Sequence, residues 1–136
     1  MVNIHIAFVV LTLCLVFYSD HKAFLWFRGK IVRMDSVKTN ICHKLGLWGF
    51  LLICTTGFSL FWPLREFLLS NNVFLSKMIF VSVLGINGLF IGKLSPLAIN
   101  NSYFDLSSKE KTVLFVSAMC SSLGWVCTIV LAYLIF

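Results

Sequence analysis

FLSKMIFVSVLGINGLFIGKLSP, from Phe74 to Pro96, is apolar enough to cross a bilayer yet carries Lys77, Asn87 and three glycines. At about 100° per residue, Ser76, Lys77, Gly85, Asn87, Gly88 and Gly92 fall on one half of a helix. Met78, Ile79, Val83, Ile86, Leu89 and Phe90 cover the other half. One side suits lipid and the other suits protein, as expected of a helix in an integral membrane bundle.

The rest of the chain agrees. Of its 136 residues, 60% are hydrophobic and 12% charged, and mean hydropathy is +0.96. Soluble domains carry roughly a quarter of their residues as charges. A crossing needs about 20 residues of helix, so the chain has room for four spans in a single membrane domain, residues 1–136. We place the spans at about 4–19, 45–62, 74–94 and 112–136, joined on one side by loops at about 20–44 and 95–111. The expected fold class is all-α, a bundle of four transmembrane helices.

The net charge of +6 is unevenly spread. Lys22, Arg28, Lys30, Arg33, Lys38 and Lys44 lie between the first two spans, and Lys93, Lys109 and Lys111 flank the connection between the last two. Only Arg65 and Lys77 remain for the opposite side. The positive-inside rule makes those two connections cytoplasmic and puts both termini outside. The charge is therefore topological, with the lipid bilayer as partner and no nucleic acid implied.

The first apolar run lacks a basic leading region and a small-residue cleavage site, so it is taken as a span. His5, Thr12 and Ser19 recur every seven residues on one stripe of it. The helix has the option of continuing through His21 to Phe27, where Asp20 is expected to be a solvated end and Trp26 and Phe27 interfacial anchors. Part of the basic stretch Phe27 to Lys44 is expected to lie as an amphipathic helix on the inner leaflet. Pro63 is expected to halt the second span, and Ser95 with Pro96 the third. Ser70, Asn71 and Asn72 offer caps for the third span, and Ser107 with Glu110 forms a capping box for the fourth.

Asn87 has to find a hydrogen-bond partner across the bundle, because an unpaired amide in lipid is costly. Ser121 and Ser122 come to about its depth. Lys77 either snorkels to the interface or turns inward toward His5 or Glu66. The candidate polar site is therefore His5, Lys77, Asn87 and Ser121. Helix packing is assigned to the small residues Gly57, Gly85, Gly88, Gly92, Ser117 and Gly124.

Reactive chemistry is sparse. No Asp or Glu falls within the middle of a span, which disfavours ion transport by one chain, and no hydrolase, P-loop or zinc motif occurs. Five cysteines without CxxC spacing suit packing. Two histidines at similar depth, as a b-type haem wants, are available only as His21 and His43 near the loops. A soft copper set from Met1, His5 and Met78 is the weak metal candidate.

His5 opening the first helix, Asp20 closing it, Trp48 and Gly57 in the second, Ser76 to Phe90 in the third and SSLGW from Ser121 to Trp125 in the fourth follow one order of features. That order resembles small four-helix bacterial membrane proteins of uncharacterised function, similar to the membrane domain of copper-resistance D proteins. The resemblance implies a bacterial inner membrane and a polar set mapping to His5, Lys77 and Asn87. The chain lacks the methionine and histidine richness of a copper importer. The expected role is non-enzymatic, a small binding or accessory component in a homo-oligomer or larger membrane complex, with the cofactor unassigned. The alternatives are a membrane redox protein binding haem, quinone or copper, and an oligomeric small-solute transporter depending on Lys77.

Overall fold

The computed structural model describes residues 1–135. Four helices follow one another: α1 (Val2–Phe27), α2 (Ser36–Leu69), α3 (Asn72–Asn100) and α4 (Ser108–Ile135), with one 3₁₀ turn at Tyr103–Asp105 before α4. Each is long and apolar enough to span a membrane. Phe136, the last residue of the expected fourth span, lies outside the described residues.

Contacts fix the antiparallel register. Thr56 and Gly57 of α2 meet His5 of α1, and Gly49 meets Thr12. Along the next seam, Gly85, Gly88 and Gly92 of α3 face Phe50, Leu47 and His43 of α2. Leu84 and Asn87 of α3 meet Gly124 and Ser117 of α4. The α3–α4 seam is the most extensive, and α1 meets α4 only thinly. One end of the bundle carries both termini and the α2–α3 turn; the other carries the two longer connections. The outer faces are lined with exposed Leu, Ile, Val and Phe, as a bundle solvated by lipid requires. Backbone polar groups are met within the helices.

The helices outrun the expected spans. α2 starts at Ser36, nine residues before the expected Leu45, with the Asp35 carboxylate accepting from the Lys38 N–H at 3.0 Å. The expected leaflet helix is therefore absent as a separate element, because its second half belongs to α2. Pro63 lies inside α2 and Pro96 inside α3. Each ring removes one backbone hydrogen bond, but residues beyond it are held by packing: Leu68 is buried past Pro63, and Ala98 past Pro96. Asn71 caps α3 through two backbone N–H groups, and Ser107 Oγ accepts from the Glu110 N–H, as the capping patterns indicated.

Trp26 corrects its expected role. At 1% exposure it is the most enclosed large side chain among the described residues. It packs on Ala98 and Leu106, with Tyr103 edge-on and Phe27 tilted against its ring. Its indole N–H donates to the Asn101 carbonyl at 3.2 Å. The Met34 N–H donates to the Ala98 carbonyl, and Gly29 turns at φ 74° against the Phe104 ring. These contacts make a closed cap of the two-loop end in place of an interfacial belt.

Candidate functional site

The four residues of the expected polar set do not converge. At the terminal end, His5 lies 2.8 Å from the Thr56 hydroxyl. The Thr56 hydroxyl also donates to the Leu52 carbonyl at 2.8 Å, so this pair ties α1 to the α2 backbone. Lys77 is half-buried near the start of α3, while Glu66 is exposed. His5 and Lys77 thus lie toward the same end of the bundle.

Asn87 and Ser121 go elsewhere. The Asn87 amide donates to the Ser117 carbonyl at 3.0 Å, and the Ser117 hydroxyl donates to Asn87 Oδ1 at 2.8 Å. The partner is thus Ser117, one turn from the expected Ser121, and Ser122 instead donates to Asp20 at 3.4 Å. The shift follows from register: α3 and α4 lock where Gly124 admits Leu84, which sets Asn87 beside Ser117. The pair is closed on itself and has the form of structural glue.

The six packing residues all lie where helices meet. Gly57 faces His5, the three α3 glycines face α2, Gly124 faces Leu84, and Ser117 faces Asn87. These small faces are occupied within the chain. Of the weak copper set, Met1 and Met78 are exposed and His5 is engaged with Thr56. Among the described residues no three His, Cys, Asp or Glu side chains gather as a metal site.

A different set converges at the two-loop end. Two adjoining cavities of about 180 and 120 Å³ share Ser19, Asp20, Cys42, His43, Ile91 and Ser121 as walls. The larger reaches Trp26 and Phe27, with Lys38 at its edge. The smaller runs deeper between the helices to Asn87 and Trp125. Most of the exposed lining surface is apolar, with Ser, Thr, Asp and His side chains set into it.

Asp20 and His43 reach this space because their helices continue. α1 runs on to Phe27, so Asp20 sits seven residues inside its end and is half-buried. His43 stands on the third turn of α2. A Cβ at Gly92 would lie 2.8 Å from His43 Nε2, so glycine there makes room for the imidazole. His21, by contrast, is exposed, so the two imidazoles wanted for a haem do not line one space.

Sequence reasoning placed Asp20 at a solvated end and His43 before a span. The missed signal was the seven-residue stripe His5, Thr12, Ser19: one further step reaches Trp26, the buried plug. Fold and cavity together define a multi-pass membrane bundle with a half-open, largely apolar chamber toward its two-loop end. Compared with protein-family models, curated proteins and solved structures, the chain matches none of them.

Proposed function

We propose that the chain is a non-enzymatic membrane component that holds a small, mostly apolar molecule inside its bundle at the two-loop end. The observation that carries this is the pair of adjoining cavities whose apolar walls converge on Asp20, His43 and Ser121. Ligand sites commonly take that form: a preformed concave space with a few orienting polar groups. Nine of the eleven lysines and arginines lie toward the same end, so the positive-inside rule turns the chamber toward the cytoplasm and both termini outward. By the family resemblance the membrane is a bacterial inner membrane.

Neopentylbenzene, an uncharged probe, tests the reading in full-length protein in lipid nanodiscs. Titration is expected to move the NMR signals of the Trp26 and Trp125 indole N–H groups, which flank the two cavities. Ser121→Phe, which places a ring in the shared wall, is expected to remove the effect while the Asn87–Ser117 pair keeps the helices joined. Indole signals that do not move, or move equally in Ser121→Phe, overturn the reading.

A further inference from the structure

We infer that the chamber takes a lipophilic monocation, a protonated amine or quaternary ammonium with an aromatic or branched apolar body, whose charge is met by Asp20. The inference rests on the proposed binding role and adds the chemistry of the occupant. Five acidic residues are present, and four have work or water elsewhere. Asp35 caps α2, Asp105 accepts from Ser102, Glu66 is exposed, and Glu110 stands in the first turn of α4. Asp20 alone lines both cavities.

Its carboxylate is poorly served by the protein. The Ser122 hydroxyl, at 3.4 Å, is its side-chain hydrogen-bond partner among the described residues. An ionised carboxylate has about four acceptor sites, so acceptor capacity remains on this residue of both cavity walls. Half-buried charge without a counter-ion is unfavourable, and a cation entering the chamber relieves it. Lys38 is exposed, on the first turn of α2, and its long side chain is free to extend into water. His43, across from Asp20, is a neutral acceptor for an ammonium N–H when its ring is unprotonated.

The remaining walls suit the rest of such a molecule. Tyr18, Trp26 and Phe27 line the larger cavity, and Phe50 and Trp125 the smaller. Aromatic faces attract a desolvated cation through the ring quadrupole, and the Leu and Ile between them suit an apolar body. An anion would meet the Asp20 carboxylate without a buried cation to offset it.

Benzyltrimethylammonium and neopentylbenzene have the same shape and differ by one charge, which makes them the test pair. Both are titrated at pH 8 into full-length protein in nanodiscs, wild type beside Asp20→Asn and Asp20→Glu, with the Trp125 indole signal as readout. Benzyltrimethylammonium is expected to bind Asp20→Asn about tenfold or more weaker than wild type, and Asp20→Glu to within about threefold of wild type. Neopentylbenzene is expected to bind all three alike, which also shows that the variants are folded. Equal binding of the cation to wild type and Asp20→Asn overturns the inference and leaves the chamber as a site for neutral ligands. Failure of both probes to bind wild type overturns the binding role and the inference with it.

Discussion

A double-mutant cycle between α3 and α4 tests the register on which the cavity depends. Asn87 and Ser117 are each 9% exposed and exchange two hydrogen bonds. Ser117→Ala deletes only the hydroxyl bond to Asn87 Oδ1, because the bond to the Ser117 carbonyl is made by the backbone. Interhelical bonds of this kind contribute about 0.6 kcal/mol on average and up to about 1.7. This one is short and buried, so Ser117→Ala is expected to cost about 1 kcal/mol. Asn87→Leu loses both bonds, but Ser117 is then able to donate to the Val113 carbonyl, as Ser76, Ser82 and Ser95 do to carbonyls four residues back. Its expected cost is therefore about 1–2 kcal/mol. In the Asn87→Leu background Ser117→Ala should be nearly neutral, giving a coupling energy of about 1 kcal/mol, while Ser121→Ala should add independently within about 0.3 kcal/mol. Reversible unfolding in mixed micelles, followed by circular dichroism, measures wild type and the five variants. A coupling carried by Ser121, or none at Ser117, would refute the register.

Two further stability measurements follow from the same packing. A Cβ at Gly124 would stand 2.8 Å and 3.0 Å from two carbons of buried Leu84, whereas one at Gly46 meets nothing within 4 Å. Gly124→Ala is therefore expected to destabilise by about 1–2 kcal/mol after its gain in helix propensity, and Gly46→Ala to stabilise by about 0.5–1 kcal/mol; equal effects would contradict the contact map. Trp26→Ala is expected to cost about 3–5 kcal/mol as a buried plug, and Trp26→Phe about 1 kcal/mol for the indole bond to Asn101. A loss below about 1 kcal/mol for Trp26→Ala would return that residue to the lipid interface.

The helices were legible because each apolar run is longer than any soluble strand or turn needs, and lipid leaves an all-helical chain few alternatives. Their ends were not. Hydropathy marks where a helix leaves hydrocarbon, not where its backbone bonding stops. Val2–Phe27 and Ser36–Leu69 both continue through polar turns that apolar runs cannot show. The prolines misled for a related reason: the local cost of a ring in a helix is a few kcal/mol, and packing of Leu68 or of Ala98 under Trp26 outweighs it.

Those misplaced ends decided how much of the site was visible. Spans closed at Ser19 and opened at Leu45 leave Asp20 and His43 outside the bundle, whereas about two more turns on each of α1 and α2 bring both to one chamber. Asn87 shows the other half of the limit. Its need for a partner follows from a single buried amide and was legible in one helix. The partner's identity depends on how two helices slide past each other, and a shift of one turn exchanges Ser121 for Ser117. That slide is set by where Leu84 finds the gap at Gly124, a packing fact between helices. The same packing leaves Ser121 free to line the chamber, so the residue that lost its expected role as glue gains one in the wall it shares with Asp20 and His43.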